Sequence, residues 1–171
     1  VERGIGHADL LEAQLGAPFA DLRLQRVAVE GRVRVGMIRV MRHVHGVYRA
    51  EQSRAIDARA IDDLGIPGIT LMQRAGRAAF EVLRERFADA ERLLVVCGGG
   101  NNGGDGYVVA WEARAAGLAV ELVALSDPDG LGGEAAEACA AWRRSGGSIH
   151  DADELEARLG HADLVVDAVL G

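Results

Sequence analysis

The chain has 171 residues, a formal net charge of −7 and 49% hydrophobic residues, which is enough for one globular domain with its own core. All 19 basic residues are arginine, which excludes a lysine Schiff base and the phosphate-binding lysine of a P-loop. Residues 50–171 hold 11 Arg against 21 Asp or Glu, so nucleic acid is not expected as the principal partner.

Membrane and redox signals are weak in this sequence. No apolar run is long enough for a bilayer-spanning helix, and the first residues lack the pattern of a signal peptide. Cys97 and Cys139 lack the spacing of a metal or redox pair, so we predict two buried free thiols in a reducing compartment. We therefore expect a cytoplasmic protein with no membrane partner.

The first 47 residues differ in character from the rest. An alternating stretch at Val33–Val40 is either a strand or part of an upstream extension, and we assign residues 1–47 no function. The chain begins with Val1 and ends just after a predicted strand, so we expect both ends to be cut, with Met41 as a plausible native start. The patterned domain is predicted to occupy residues 48–171.

Two helices are predicted before the first strand of the patterned domain. Ile56, Ala60 and Leu64 repeat on one face of a helix at residues 49–64. A second helix is predicted to begin with Thr70 as its N-cap and Gln73 three residues later, in a capping-box pattern.

Strands and helices then alternate to the end of the chain. Strands are predicted at Arg92–Cys97, Ala119–Leu125, Ser148–His150 and Asp163–Val169, and helices at Asp105–Ala116, Gly133–Arg144 and Ala152–Leu159. Alternating βα units with short turns predict an α/β fold: a Rossmann-like parallel sheet in a three-layer αβα sandwich.

The most informative segment is Gly98–Gly106, with the sequence GGGNNGGDG between a strand and a helix. A glycine-rich turn before a helix N-terminus is typical of a site for a phosphorylated ligand. The segment formally matches G-x-G-x-x-G, and Asp127 stands near the expected distance for a ribose-binding carboxylate. An NAD-dependent oxidoreductase is therefore one alternative.

The polar residues of this segment favour a function other than that of an oxidoreductase. Asp105 is predicted in the first turn of the helix, where its charge would repel a pyrophosphate. It is either a helix cap or a group that faces the ligand as an acid, a base or a hydrogen-bond acceptor. Asn101 and Asn102 are either turn residues or donors of amide oxygens to a ligand or cation.

Asp167 lies near the carboxyl end of the last predicted strand, and we expect it at the same sheet edge as the glycine segment. Carboxylate, amide and backbone oxygens suit a hard cation. The alternative is that Asp167 caps the loop that follows it.

Four ordered segments carry a resemblance to a known family. Val95–Gly106 closely resembles the signature of the NAD(P)H-hydrate epimerases, the YjeF N-terminal domain family. Ala50–Asp57, Gly68–Ala78 and Val166–Gly171 resemble the family's first helix, second helix and second substrate loop. The resemblance covers residues 48–171.

The resemblance implies an isomerase that interconverts the R and S hydrates of NADH and NADPH, which are its substrates and not cofactors. It implies a dehydratase as functional partner, fused in some proteins, one potassium ion per subunit, and a homodimer as one assembly state. By position, the implied substrate contacts are Asn101, Asn102, Gly103, Gly104, Asp105 and Gly171. The implied potassium ligands are Asn102 and Asp167.

Two departures accompany this resemblance. Gln73 stands where the family often has Glu, and the chain stops at Gly171, so we expect a domain that is incomplete at its C-terminus. Asp105 is our candidate for the catalytic acid or base. A non-catalytic nucleotide-binding module of the same fold remains the second alternative.

Overall fold

The structure, a computed structural model, describes the backbone of residues 21–28 and 34–41 and all of residues 49–170. The strands are β1 (Asp21–Ala28), β2 (Arg34–Met41), β3 (Arg92–Cys97), β4 (Ala119–Ala124) and β5 (Leu164–Ala168). The α-helices are α1 (Ala50–Asp62), α2 (Gly68–Arg86), α3 (Asn101–Ala115), α4 (Gly133–Arg144) and α5 (Leu155–Leu159). Short 3₁₀ turns cover Pro128–Gly130 and Ala152–Glu154.

One sheet with the strand order β1-β2-β5-β3-β4 forms the middle of the fold. β5, β3 and β4 run parallel, β2 pairs parallel with β5, and β1 pairs antiparallel with β2. The alternating stretch Val33–Val40 therefore overlaps a strand at the side of β5. β4 and β5 lie on opposite sides of β3, so the chain reverses its direction across the sheet between them.

Apolar side chains of β3 alternate between the two faces of the sheet. Leu93, Val95 and Cys97 enter a core that the helices α2, α3 and α4 cover. Leu94 and Val96 enter a second core, against which Leu155 and Leu159 of α5 pack. Helices on both faces confirm the predicted three-layer α/β sandwich, because β3 is buried from both sides.

The bounds of β3 and α4 are those that the sequence predicts, whereas two helix starts were predicted wrongly. α2 begins at Gly68 with Pro67 as N-cap, because the Pro67 carbonyl accepts the N–H groups of Thr70 (2.9 Å) and Leu71 (3.3 Å). The capping box predicted at Thr70 and Gln73 therefore does not form.

The start of α3 and one predicted strand also differ from expectation. α3 begins at Asn101, four residues earlier than predicted. The strand predicted at Ser148–His150 is reduced to a single bridge between His150 and Val123. Across the part of the chain that the structure describes, each helix is too short or too polar to cross a membrane.

Candidate functional site

The candidate site lies where β3 and β5 end side by side. Val96 pairs with Asp167 and Cys97 with Ala168, so both strands deliver their following loops to one edge of the sheet. β4 lies on the other side of β3, which makes the gap between β3 and β5 the topological switch point. In open α/β sheets the ligand crevice lies at such a point. The expectation that Asp167 and the glycine segment share an edge is therefore confirmed.

Gly98 joins the two strands beyond their last paired residues. Its N–H donates to the Ala168 carbonyl at 3.0 Å. A β-carbon at this position would overlap the Val169 carbonyl oxygen. Only glycine therefore lets the backbone after β3 approach the end of β5 this closely.

The glycine segment continues directly into helix α3. Gly100 is the N-cap, and the first turn closes with a 3.1 Å hydrogen bond from the Gly104 N–H to the Gly100 carbonyl. The N–H groups of this first turn have no carbonyl before them within the helix, and the helix dipole adds positive charge here. Asn101 is exposed and Asn102 is half-buried at this end. The arrangement suits an anionic or strongly polar ligand.

Three glycines inside α3 allow close packing. A β-carbon would overlap the Gly98 carbonyl at Gly103, and would lie 2.5 Å from Met72 Cε at Gly104 and 2.7 Å from Ala168 Cβ at Gly106. Gly103 and Gly104 are buried. Any contact that these two predicted substrate-binding residues make with a ligand must therefore pass through their backbone.

Asp105 occupies the fifth position of α3, so it is not the helix cap that one interpretation of the sequence allowed. It lies one turn after Asn101, on the same side of the helix. Partial burial, and secondarily the carboxylate of Asp57 on α1, raise the pKa of Asp105 to about 7. Near neutral pH this carboxyl group therefore exists in both its protonated and ionised forms, as a proton-transferring group requires.

Asp57 is a residue that the sequence analysis did not single out. It lies 48 residues before Asp105, on a different helix, and its carboxylate contributes to the raised pKa of Asp105. Asp57 falls within the segment Ala50–Asp57 that resembles the family's first helix, which was the only signal available for it.

Asp167 and Asn102 both lie at the end of the sheet where β3 and β5 finish, Asp167 in β5 and Asn102 in the first turn of α3. Asn102 is one turn before Gly106, which packs against Ala168, so Asn102 lies on the side of α3 toward the end of β5. The exposed Asp167 accepts the Val169 N–H at Oδ1 (3.0 Å), so the capping alternative is realised and Oδ2 remains without that bond.

This pair fits a potassium ion in the chemistry of its donors. A carboxylate oxygen and an amide oxygen are hard oxygen ligands, and the end of β5 adds backbone carbonyls beside them. Within residues 49–170 no cluster of three or more His, Cys, Asp or Glu side chains offers an alternative metal site. Potassium binding at Asn102 and Asp167 stays a prediction.

The remaining candidates have structural roles or cannot be described. Asp127 Oδ1 accepts the Asp129 N–H at 2.9 Å and so caps a 3₁₀ turn, which weakens the oxidoreductase alternative. Cys97 and Cys139 are buried free thiols, and burial raises the pKa of the Cys97 thiol. Gly171, a predicted substrate contact, lies outside the described residues.

Together the fold and the site define a Rossmann-like α/β domain with a glycine-rich helix start at the switch point of its sheet. Residues 68–171, more than half of the chain, match the family described as YjeF-related protein N-terminus. The chain belongs to this family.

Curated relatives and a solved structure agree with that assignment. The chain is 46% identical over 127 residues to the bifunctional NAD(P)H-hydrate repair enzyme Nnr of Escherichia coli, and covers 24% of its length. It is 39% identical over 123 residues to the NAD(P)H-hydrate epimerase of Rhodopirellula baltica, and covers 50% of its length. These matches take in 74% and 71% of the chain.

The crystal structure of the yeast protein ynu0 matches 74% of the chain with a TM-score of 0.64. The match covers 57% of the yeast chain at 22% sequence identity, so it supports the fold alone. The chain thus spans between a quarter and somewhat more than half of the length of these similar proteins.

Proposed function

We propose that the chain carries the site for epimerising the R and S hydrates of NADH and NADPH, within the repair of damaged nicotinamide nucleotides. One observation carries the proposal. Asp105 lies one turn inside a glycine-rich helix start at the switch point, with a pKa raised to about 7. The names of the relatives, an NAD(P)H-hydrate epimerase and bifunctional NAD(P)H-hydrate repair enzymes, supply the substrate class.

The reaction needs one group that first donates a proton and later accepts one. In the hydrate, C6 of the reduced nicotinamide ring carries a hydroxyl group and adjoins the ring nitrogen. Protonated Asp105 donates its proton to this hydroxyl, the C–O bond breaks, water leaves, and the nitrogen lone pair forms an iminium ion. Water then adds to C6 on the opposite face and returns a proton to the Asp105 carboxylate. A carboxyl pKa near the working pH suits both half-reactions.

The start of α3 provides for the rest of the nucleotide. Free N–H groups in the first turn and the helix dipole favour the negative charge of a pyrophosphate, and Asp105 lies beyond the first turn, as the fifth residue of α3. The Asn101 and Asn102 side chains can donate and accept hydrogen bonds to the hydrated ring or the ribose. Gly103 and Gly104 have no side chains, so we expect their backbone groups to make their contacts with the substrate.

Asn102 and Asp167 would hold potassium in this proposal, and the bound ion would supply a fixed positive charge that orders the two loops around the substrate. Asp167 Oδ1 holds the Val169 N–H, so Oδ2 would face the ion. A dehydratase acting on the S hydrate is the expected partner, in line with the bifunctional relatives. Two buried free thiols fit a reducing compartment such as the cytoplasm.

The test is epimerisation of purified R hydrate of NADH by the 171-residue chain, coupled to an S-specific dehydratase. Recovery of NADH absorbance supports the proposal. Asp105→Asn should reduce the rate by at least about a hundredfold, the usual contribution of general acid catalysis. Asp153→Asn, an exposed carboxylate beside α5, is the matched control and should retain the rate.

The non-catalytic alternative predicts a different result. A module that only binds would take up the hydrate, as measured by calorimetry, with no recovery of NADH above the dehydratase-only background. Full activity in a folded Asp105→Asn variant would remove Asp105 from the mechanism. It would leave the family assignment intact, because that rests on residues 68–171 as a whole.

A further inference from the structure

The glycine segment has a second neighbour at the carboxyl edge of the sheet, on the side away from β5. β4 stays paired with β3 beyond its last residue, because the Leu125 N–H donates to the Cys97 carbonyl at 2.9 Å. Ser126 follows directly and lies against Gly99, where an added β-carbon would stand 2.9 Å from Ser126 Oγ. The Ser126 hydroxyl therefore lies beside the loop that leads into α3.

Strand alternation puts the Ser126 side chain on the same face of the sheet as α3. Leu122 of β4 enters the core that α2, α3 and α4 cover. Ser126 is four residues further along the continued strand, and side chains an even number of residues apart in a strand point to the same face. The alternation and the short distance to Gly99 thus agree on the position of this hydroxyl.

The Ser126 hydroxyl is open to a ligand. Ser126 and Gly99 are both exposed, so a molecule held by the backbone of the glycine segment can reach both residues. None of the side-chain hydrogen bonds within residues 49–170 uses this hydroxyl. It can therefore donate and accept hydrogen bonds with a bound molecule.

The two carboxylates that follow Ser126 are engaged elsewhere. Asp127 Oδ1 accepts the Asp129 N–H at 2.9 Å, and the Asp127 side chain lies nearest to an added β-carbon on Gly130. Asp129 Oδ1 accepts Arg143 Nη1 at 2.6 Å. In dinucleotide-binding domains a carboxylate in this loop binds the 2′-hydroxyl of the adenosine ribose. Here the loop offers the hydroxyl of Ser126 in place of a carboxylate.

The position of Asp105 decides which half of the substrate lies near Ser126. α3 packs mainly on β3 and β4, whereas α2 reaches β2 beyond β5, so α2 is on the β5 side of α3. The Asp105 carbonyl faces Gly76 of α2, and the Asp105 carboxyl interacts electrostatically with Asp57 of α1. The reacting ring, which must touch the Asp105 carboxyl, is thus on the β5 side.

The rest of the nucleotide then extends toward β4. The pyrophosphate joins the two halves of the molecule and binds the free N–H groups at the start of α3. With the nicotinamide ring on the β5 side of these groups, the adenosine ribose lies on the other side, next to Gly99 and Ser126. The same order holds in doubly wound folds, where the adenosine ribose lies at the end of the strand that follows the glycine-rich helix start.

We propose that Ser126 contacts the adenosine ribose of the hydrated nucleotide at its 2′ position and determines whether a 2′-phosphate is accepted. The identity of the substrate rests on the function proposed above. A hydroxyl accepts a hydrogen bond from a 2′-hydroxyl and donates one to a 2′-phosphate, so this serine suits the hydrates of NADH and NADPH alike. A carboxylate at the same position would accept from a 2′-hydroxyl and repel a phosphate.

ADP-ribose and 2′-phospho-ADP-ribose test this contact, because neither contains the nicotinamide ring on which Asp105 acts. Calorimetry measures the binding of each probe to the 171-residue chain and to variants shown by circular dichroism to be folded. The unaltered chain should bind both probes with similar affinity. Ser126→Asp should raise the dissociation constant of 2′-phospho-ADP-ribose about tenfold or more, and should leave that of ADP-ribose unchanged or lower.

Ser148→Asp is the matched control. Ser148 is exposed and stands two residues before His150, which pairs with Val123 of β4, so it lies about 13 Å from Leu125 along the strand direction. This variant adds the same charge away from the crevice and should bind both probes as the parent does. Ser126→Ala should weaken both probes alike, by about fivefold, because one hydrogen bond is lost.

Failure of this contact and failure of the epimerase function give different results. If Ser126→Asp selectively loses 2′-phospho-ADP-ribose in a chain that does not epimerise the R hydrate, the contact stands and the function is refuted. Equal effects of Ser126→Asp on the two probes, unchanged binding by Ser126→Ala, or an unaltered chain that binds neither probe would each overturn the contact. In the coupled assay, Ser126→Asp should raise KM for the NADPH hydrate relative to the NADH hydrate with kcat unchanged, because Ser126 does not touch the reacting carbon.

Discussion

Gly76 of α2 lies so close to Val108 of α3 that a β-carbon on Gly76 would stand 2.6 Å from the Val108 side chain. The Asp105 carbonyl would lie 3.2 Å from the same β-carbon. The two helices therefore cross at the turn of α3 that carries Asp105. This contact sets the distance between Asp105, the candidate catalytic acid, and the sheet.

Gly76→Ala should destabilise the protein by about 1–3 kcal/mol, because the added methyl group forces α2 away from α3. Urea unfolding followed by far-UV circular dichroism measures the effect. Gly160→Ala is the control: its φ is −67° and the nearest atom to an added β-carbon is 4.0 Å away. That variant should be neutral or stabilised by up to about 1 kcal/mol. Equal effects of the two substitutions would contradict the packing argument.

Stability should depend on pH through Asp105. The carboxyl pKa is 3.8 in the reference state and rises to about 7 in the folded protein because of partial burial. Between these values the folded state holds more protons, so the free energy of unfolding falls as the pH rises from about 4 to 7. Asp105→Asn cannot ionise and should be more stable than the parent at pH 8, by about 4 kcal/mol at most.

Urea titrations of both proteins at pH 5 and pH 8 check this prediction. The histidines and other carboxyl groups are common to both, so the difference between the proteins isolates Asp105. If the difference in free energy of unfolding between Asp105→Asn and the parent does not increase from pH 5 to pH 8, Asp105 is well solvated in the folded state.

Asp163 joins β3 and β5 at the sheet edge opposite the candidate site. Its Oδ1 accepts Arg92 Nη2 at 2.6 Å, and its Oδ2 accepts the backbone N–H groups of Arg92 (3.0 Å) and Glu91 (3.2 Å). The Arg92 hydrogen bond lowers the pKa of Asp163, so this stabilisation is present above pH 4 and is lost as the pH falls below it.

Asp163→Ala should cost about 1–2 kcal/mol at pH 7, because two backbone N–H groups lose their acceptor as well as the ion pair. Thermal unfolding at pH 7 measures the loss, which should shrink at pH 3. Asp153→Ala, an exposed carboxylate without such bonds in the described residues, is the comparison. A loss that is the same at both pH values would show that ionised Asp163 has no special role.

The potassium concentration that epimerase activity requires should depend on the negative charge of Asp167. Asp167→Asn keeps an oxygen that can accept the Val169 N–H, a bond of 3.0 Å in the parent, but removes the negative charge. The potassium concentration for half-maximal epimerase activity should rise about tenfold while the melting temperature stays the same. An unchanged potassium response would move the ion away from this residue.

Local sequence signals predicted some elements to the residue. In Arg92–Cys97 a charged residue is followed by five apolar ones, and Gly98 comes directly after them. Ser145 and two glycines follow α4 and end it. The start of α3 was predicted four residues late because glycine and asparagine have low intrinsic helix propensity. Packing against Gly98 and Met72 compensates for that propensity, and such contacts have no signature in local sequence.

The sequence by itself determined the alternation of strands and helices, the glycine segment and the family resemblance, because each is encoded in residues close together along the chain. Only the tertiary structure decided that Asp105 lies inside a helix, where burial, and secondarily Asp57 48 residues away, raises its pKa. It also decided that the end of β5 with Asp167 lies beside the glycine segment that follows β3. The physical reason is that burial and electrostatic coupling depend on distance in space, and the strand order that sets those distances is fixed by packing of the whole sheet.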